Sequence, residues 1–252
     1  MSKFFVPREN IGGESIIIRG GDAAHISRVL RMTTGDGLTL CDGRGIDYET
    51  VIDKISPDEV ECKIIREKKS SSEPNISVTL VQGLPKASKM DYIIQKTTEL
   101  GISRIIPCSL ARCVVKLENK KAEEKKTERW RKIAAEAAKQ SGRGIIPEVT
   151  MPKTLDAVLD ELKAFDIVFV PYECERENTL KSVLTSCENP KNAAFIIGPE
   201  GGFDIAETEK IRAAGIKTVT LGRRILRTET AGEAVLSMLM YEIGDINRIS
   251  EK

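Results

Sequence analysis

The chain has 252 residues, 40% of them hydrophobic, and its 39 basic and 38 acidic residues give a net charge of +1. This size fits one large domain or two smaller ones, and the balanced charge neither demands nor excludes a nucleic-acid partner. No apolar run reaches the roughly 20 residues of a transmembrane helix, and the first residues lack the apolar core of a signal peptide. We therefore expect a cytoplasmic protein without a membrane partner.

The first 70 residues are predicted to be mostly β-structure. Short apolar runs separated by glycine and aspartate predict strands in KFFV, ESIIIRG, DGLTLCDG, DYETVIDKI and EVECKIIRE. One helix is predicted in DAAHISRVLRM, with Asp22 as its N-cap. The charged, serine-rich segment from Arg66 to Asn75 has the composition of a linker, so we place a domain boundary between residues 70 and 71.

Strands and helices alternate after this boundary. Nearly all-apolar strands are predicted in ISVTLVQGL, ISRIIPCSL, DIVFVPY, NAAFIIGP and KTVTLG. The segment ASKMDYIIQKTTELG predicts a helix that Gly101 ends, and a longer helix is predicted from about Asn119 to Ser141. Apolar strands separated by helices are typical of a parallel sheet that is covered on both faces.

The cysteines and the single histidine restrict the chemistry. The six cysteines are scattered and form no C-x-x-C pair, so they predict reduced, mostly buried thiols and no metal site. A hydrolase built on a Ser-His-Asp or Cys-His arrangement would have to use His25, and no G-x-S-x-G motif accompanies it. His25 also lies in the β-rich part of the chain, which makes a hydrolase the weakest alternative.

Ligands of an open parallel sheet bind beyond the carboxyl ends of its strands. Three such ends carry conspicuous loops, in FVPYECE, IIGPEGG and LGRRILRTETAGEAV, and these follow the last three predicted strands. The IIGPEGG loop lies between a strand and a helix, like a phosphate-binding loop, but it has neither the P-loop lysine nor the dinucleotide glycine spacing. Its Glu200 would repel phosphate and tolerate a cationic ligand. A simple strand-to-helix turn that needs glycines is an equally good interpretation at this point.

Two pairs of residues have the spacing of a helix capping box. Asp204 and Glu207 form a D-x-x-E pair, and Thr230 and Glu233 form a T-x-x-E pair before the last predicted helix. Capping leaves Arg227 and its neighbour Glu229 unexplained, and a guanidinium at a strand end can hold an oxyanion, a phosphate or a carbonyl.

Basic residues in the first part of the chain also recur with a regular spacing. His25, Arg28 and Arg31 are three residues apart and could share one helix face. A solvated polar face is the simpler interpretation, and a stripe that contacts phosphates is the alternative.

Six segments in this order resemble the RsmE family of ribosomal RNA methyltransferases, members of the SPOUT superfamily: HISRVLRM, KMDYIIQKTTELG, ARCVVKL, RWRKIAAEAAKQSGR, IIGPEGG and LGRRILRTETA. The resemblance covers almost the whole chain, and GPEGG followed by ILRTETA is its most specific part. Gly232 and Glu233 depart from the family pattern, in which small or apolar residues are more usual.

The resemblance implies an α/β SPOUT methyltransferase domain with a C-terminal deep trefoil knot over residues 71–252. A small β-rich PUA-like RNA-binding barrel over residues 1–70 would precede it. Members of this family use S-adenosylmethionine to methylate N3 of a specific uridine in the 16S RNA of the small ribosomal subunit. The resemblance further implies a homodimer with cofactor pockets near the subunit interface, and ribosomal RNA within the assembled subunit as the partner.

The resemblance also implies site residues. The cofactor-binding residues would be Val170, Pro171, Tyr172, Ile197, Gly198, Pro199, Glu200, Gly201, Gly202, Leu221, Gly222, Ile225, Leu226, Arg227 and Thr228. Uridine N3 must lose a proton, which a carboxylate base or an arginine beside the developing negative charge would assist. We assign the role of base to Glu229, with Glu200 as the second candidate. We assign the stabilisation of the negative charge to Arg227. The expected RNA contacts are Arg8, His25, Arg28, Arg31, Lys89, Arg112 and Arg143.

Two alternatives stay open from the sequence. One is a ribose 2′-O-methyltransferase of the same superfamily, which the methylated atom would distinguish. The other is a catalytically silent RNA-binding protein with the same two domains. The intact GPEGG and RTETA segments argue against the second, because a pure binder does not need them.

Overall fold

The computed structural model describes residues 3–114 and 119–247 and divides into two units. The first unit contains the chain up to Glu73 together with Ala138–Ile146, and the second contains Pro74–Ala137 and the chain from Pro147 onward. The first unit thus extends slightly past residue 70 and takes in a later segment of the chain. Residues 115–117 of the ARCVVKL segment lie outside the described residues.

The first unit is built on a sheet of six strands within the described residues, in the order β1-β4-β5-β6-β3-β2. These strands are β1 (Lys3–Phe5), β2 (Ile11–Gly12), β3 (Ser15–Arg19), β4 (Gly37–Cys41), β5 (Ile46–Ile55) and β6 (Glu59–Lys69). Strands β1 and β4 are parallel and the other pairs are antiparallel. Alternate side chains such as Phe4, Ile16 and Leu40 form its core. The predicted strands are confirmed, but the predicted linker begins inside β6, whose last residues pair with β5.

The helix predicted in DAAHISRVLRM begins differently from the prediction. Helix α1 (Gly21–Ala24) continues into one wide helical turn, His25–Val29. Gly20, with φ of 70°, precedes it, and no side chain caps it. Asp22 lies within the first turn and its carboxylate accepts a hydrogen bond from Lys139, so its prediction as N-cap is wrong.

The second unit is built on a parallel sheet, as predicted. Among the described residues the strands are β7 (Ser77–Gly83), β8 (Arg104–Ser109), β9 (Glu148–Val149), β10 (Lys153–Thr154), β11 (Ile167–Pro171), β12 (Asn192–Ile197) and β13 (Lys217–Val219). Their order is β10-β8-β7-β12-β11-β13, and β9 pairs with β8. The central strands are buried on both faces because helices cover them, and the rings of Phe169 and Phe195 stack with centroids 5.9 Å apart.

Helices separate these strands. They are α2 (Lys89–Glu99), α3 (Lys120–Gln140), α4 (Leu155–Leu162), α5 (Leu180–Leu184), α6 (Ile205–Ala213) and α7 (Thr228–Glu242). The predicted stop at Gly101 is confirmed by its φ of 95°. The capping box of Asp204 and Glu207 is also confirmed at the start of α6. The Thr230–Glu233 box is wrong, because α7 begins at Thr228 and both residues lie inside the helix.

The six cysteines are unpaired, and four of them are buried. Burial raises the pKa of the Cys41 and Cys108 thiols to about 12, which keeps both protonated. Within residues 3–114 and 119–247, no three His, Cys, Asp or Glu side chains are grouped as a metal site would need. No helix in the same ranges is long and apolar enough to cross a membrane.

Candidate active site

The loops that follow β11, β12 and β13 converge, because these strands are neighbours at one edge of the parallel sheet. A cavity of about 510 Å³ lies there, a size within the usual range of ligand pockets. Its lining comprises Lys89, Pro171, Glu173, residues 197–203, residues 225–228 and Ala231. The sequence-based prediction that the three loops meet is confirmed.

A smaller cavity of about 90 Å³ adjoins the first and shares Pro171, Glu173 and Leu226 with it. Tyr172, Leu221 and Gly222 line only this smaller space. Fourteen of the fifteen residues assigned to the cofactor from sequence therefore line one cavity or the other. Val170 does not, because its side chain points into the core and is 1% exposed.

The GPEGG loop is fixed by close backbone contacts. Gly202 has φ of 68°, which favours glycine, and its N–H donates to the Pro199 carbonyl at 2.9 Å. Gly83, at the end of β7, lies so close to this loop that a Cβ there would be 2.7 Å from the Pro199 backbone nitrogen. Arg112, predicted to contact RNA, donates to the Gly201 carbonyl at 3.1 Å. The loop is therefore a rigid wall and not a loose turn.

A buried polar network joins the start of α7 to the central strands. The Thr228 hydroxyl donates to the Gly198 carbonyl at 2.7 Å and accepts from Gln82 Nε2 at 2.9 Å. Gln82 is fully buried on β7, and its Nε2 also donates to the Gly83 carbonyl. The sequence analysis missed Gln82, although a lone glutamine in the apolar run ISVTLVQGL is a usable signal.

Three charged side chains form a cluster beside the cavity, and Lys89 and Glu200 line the cavity but Glu229 does not. Lys89 Nζ lies 3.1 Å from Glu200 Oε1 and 3.1 Å from Glu229 Oε2. Glu200 also accepts from the Lys86 backbone N–H at 3.1 Å. Burial raises the pKa of each carboxyl, but backbone N–H groups and Lys89 outweigh it, so both pKa values are lowered. Both glutamates are therefore ionised at neutral pH, and Lys89, predicted to contact RNA, lies in the cavity wall.

Four of the predicted RNA-contacting residues, Arg8, His25, Arg28 and Arg31, are exposed in the first unit. Between the last two, Val29 and Leu30 are 65% and 37% exposed. The segment therefore presents apolar side chains flanked by positive charge.

Arg143 is a correction to the predicted RNA contacts. It is 3% exposed, and its Nη2 donates to Glu73 Oε2 at 2.6 Å. Glu73 also accepts from the backbone N–H groups of Gly144 and Ile145. A buried guanidinium held by a carboxylate cannot reach a phosphate, so Arg143 anchors the segment that returns to the first unit.

Comparison with known proteins identifies the family. Residues 72–240 match the RNA methyltransferase domain family, and residues 18–65 match the RNA methyltransferase PUA domain. The ribosomal RNA small subunit methyltransferase E of Bacillus subtilis is 38% identical over 229 residues, which is 89% of each chain. The chain belongs to the RsmE family of ribosomal RNA methyltransferases.

Other RsmE proteins are similar over a comparable extent. The Aquifex aeolicus protein of that name is 32% identical, over 90% of this chain and 95% of its own. The structure of the Neisseria gonorrhoeae RsmE protein, bound to S-adenosylmethionine, superposes with a TM-score of 0.84 at 28% identity and covers 98% of this chain and 99% of its own. The segment that matches the methyltransferase family contains all three loops of the cavity, so the RsmE assignment and the geometry point to the same edge of the sheet.

Proposed function

We propose that this RsmE protein transfers the methyl group of S-adenosylmethionine to N3 of a uridine in the 16S RNA of the small ribosomal subunit. The observation that carries the proposal is the convergence of the three loops on one cavity in a chain of this family. S-Adenosylmethionine supplies an activated methyl group when it is bound, so the protein needs neither metal nor histidine for methyl transfer.

The lining of the cavity fits such a cofactor. Ile197, Phe203 and Leu226 provide apolar surface, and the glycines of the loop expose backbone donors and acceptors. The Glu200 carboxylate and the nearby Glu173 suit a ligand that carries positive charge. These residues would hold the cofactor.

Arg227 and Glu229 are the residues that we propose for the chemistry. Arg227 is exposed and lines the cavity, where its guanidinium can stabilise negative charge on a uracil carbonyl oxygen. Glu229 lies in the first turn of α7 beside it and is the proposed acceptor of the N3 proton. Its lowered pKa keeps this carboxylate ionised at neutral pH.

The decisive experiment supplies purified protein with labelled S-adenosylmethionine and either naked 16S RNA or whole small subunits. We expect 3-methyluridine in the RNA of the small subunits, detected by mass spectrometry of the nucleosides. Methyl groups on ribose would instead support the 2′-O-methyltransferase alternative. Calorimetric titration with S-adenosylmethionine adds a separate test, because absence of binding would support a silent RNA-binding protein.

We also propose that the chain forms the deep trefoil knot of the SPOUT fold. After β13, at the edge of the sheet, residues 221–228 return to place Thr228 beside Gly198 and Gln82 of the central strands. Thr220 pairs with Thr179, so the segments after β11 and β13 run side by side. Single-molecule stretching of the unfolded chain tests this: a knot leaves the contour shorter than the roughly 3.3–3.6 Å per residue of an open chain.

A homodimer is the assembly that we propose. Helices α2 and α7 pack against each other and leave Tyr92, Met238 and Tyr241 between 41% and 57% exposed. Large exposed apolar side chains on adjacent elements are typical of association surfaces. Sedimentation of Tyr241→Glu together with Met238→Glu should show a monomer where the natural chain sediments as a dimer. An unchanged sedimentation coefficient would remove this surface from consideration.

We propose that the exposed segment from Arg28 to Arg31 in the first unit contacts RNA. We also propose that the protein acts in the cytoplasm. Reversal of the charges at Arg28 and Arg31 should weaken RNA binding and reduce its dependence on salt, because phosphate contacts release counterions. Replacement of Glu9, which is exposed in the same unit, by Gln serves as a control. If the salt dependence were the same with and without the two arginines, this contact surface would be wrong.

A further inference from the structure

Lys89 lines the cavity, and its ammonium group is paired with two carboxylates. It is the first residue of α2, and it lies 3.1 Å from a carboxylate oxygen of the GPEGG loop and 3.1 Å from one at the start of α7. The two glutamates belong to segments nearly thirty residues apart in the chain. Their carboxylates thus lie within about 6 Å of each other, and the Lys89 ammonium group contacts both.

We propose that Lys89 is a positioning residue for methyl transfer, which holds the carboxylates of Glu200 and Glu229 in place as a charged pair on which the reaction depends. The proposal rests on the proposed function, since it gives Glu229 the role of proton acceptor. Lys89 acts through these carboxylates and need not touch the uracil itself.

The charge balance explains why an ammonium group is required at this point. Two carboxylates within about 6 Å repel each other, and without an intervening cation one of them tends to bind a proton. A protonated Glu229 cannot accept the uridine proton. A protonated Glu200 would also lose part of its interaction with Lys86 N–H and the negative charge that suits a cationic ligand.

Other ionisable side chains near the cluster do not replace Lys89. Among the described residues, the groups that face it from the neighbouring elements are Tyr92, Arg112, Cys113, Glu173, Arg227 and Glu233. The two arginines of this set are cationic, and Arg112 is held by Gly201 and Asp204. Arg227 also lowers the pKa of Glu229, but less than Lys89 does.

The variants Lys89→Met and Lys89→Arg test the proposal. In Lys89→Met, the acidic limb of the pH profile of kcat/KM should move upward by about one pH unit, because loss of a cation within 4–6 Å typically shifts a carboxyl by 1–3 units. At pH 7 both carboxylates stay ionised after such a shift, so a fall in kcat there that exceeds the change in KM for the cofactor would report lost positioning of Glu229. Lys89→Arg keeps the charge and should restore the natural position of the limb.

Lys96→Met is the matched control. Lys96 lies two turns further along α2 and contacts Glu99 at 2.9 Å, outside the cavity lining. Its replacement should leave the acidic limb in place. Equal displacement in both variants would mean that any loss of positive charge on α2 suffices, and the proposal would be overturned.

Carboxyl carbon NMR of the free protein gives a readout that does not require activity. With labelled glutamate, the titrations of Glu200 and Glu229 should move to higher pH in Lys89→Met and stay in place in Lys89→Arg. Unchanged titrations in Lys89→Met would overturn the inference. Absence of methyl transfer by the natural protein would instead count against the proposed function, and the titrations would still decide the role of Lys89.

Discussion

Helices α6 and α7 both follow a strand at the carboxyl edge of the parallel sheet, but they begin in opposite ways. The first turn of α6 is closed by its own side chains: Asp204 accepts from Ala206 N–H at 3.1 Å, and Glu207 accepts from Asp204 N–H at 2.9 Å. The same carboxylates also contact Ala111 N–H and Arg112 of a neighbouring loop. No side chain caps α7. Its first residues bond elsewhere instead, Thr228 to Gly198 and Glu229 to Lys89.

This difference separates a helix start that contributes stability from one that builds a site. A self-capped turn satisfies its own donors and adds about 1 kcal/mol wherever it stands. At α7 the same positions hold two loops and a strand together around the cavity. Replacements at the two helix starts should therefore affect different properties, stability at α6 and catalysis or cavity geometry at α7.

The largest expected effect is on catalysis at α7. Arg227→Ala should reduce turnover by about a hundredfold or more, because it removes a charged donor from the developing negative charge. Affinity for S-adenosylmethionine should change little, as measured by calorimetry. Arg223→Ala is the control, since Arg223 is exposed and lines neither cavity. Full turnover by Arg227→Ala would contradict the catalytic role.

The next effect is on the bonds that anchor α7. Thr228→Val keeps the shape of the side chain but leaves the half-buried Gly198 carbonyl and one buried Gln82 donor position without a partner, which should cost about 1–3 kcal/mol. Thermal unfolding should show a lower Tm. Thr228→Ser keeps the hydroxyl and should retain most of the stability. Equal Tm values for the valine variant and the natural chain would remove this network from the explanation.

A smaller effect is expected at α6. Asp204→Ala removes the cap and the contact with Arg112, and it should destabilise the protein by about 1 kcal/mol with a much smaller loss of turnover than Arg227→Ala. Thr230→Ala is the sharpest control, because Thr230 has the same place in its T-x-x-E pattern but lies exposed inside α7, so its change should stay within about 0.5 kcal/mol. Similar losses for both variants would erase the distinction between the two helix starts.

The smallest effect concerns pH and the loop after β11, in which Glu175 accepts hydrogen bonds from its own loop and from Thr218 of β13. The Thr218 hydroxyl and the backbone N–H groups of Glu177, Asn178 and Arg176 lower the pKa of Glu175 from 4.5 to about 2. This contribution to stability is complete above pH 4.5 and is lost as the pH falls toward 2. The Tm difference between the natural chain and Glu175→Gln should shrink over that window. Glu177→Gln should show no such trend, and a constant difference for Glu175→Gln would contradict the assignment.

Much of the fold follows from local sequence. Apolar strands between helices predict the parallel sheet, and turn residues predict the strands of the first unit, because period and composition report burial directly. The start of α7 could not be predicted in this way. The D-x-x-E and T-x-x-E patterns predict a capping box equally well from sequence. The observed start of α7 at Thr228 coincides with hydrogen bonds to Gly198 and Gln82, which are distant in sequence.

The loops that line the cavity could be predicted from the sequence. The contacts between side chains that are distant in sequence could not. The family resemblance points to residues that line the cavity, such as Gly198 and Leu226. Arg143 and Arg28 have the same charge, so the sequence does not tell them apart. In the fold Arg143 is buried against Glu73, whereas Arg28 is exposed. Lys89 likewise gains its meaning from two glutamates that are far away in sequence.

Gly83 has a consequence for how this protein can diverge. It does not line the cavity, but any side chain at this position would press on Pro199, which does. The size of the cavity therefore depends partly on Gly83, a residue that does not line it. A larger residue at position 83 would therefore have to be accompanied by a shift of the GPEGG loop, which would change the size of the cavity.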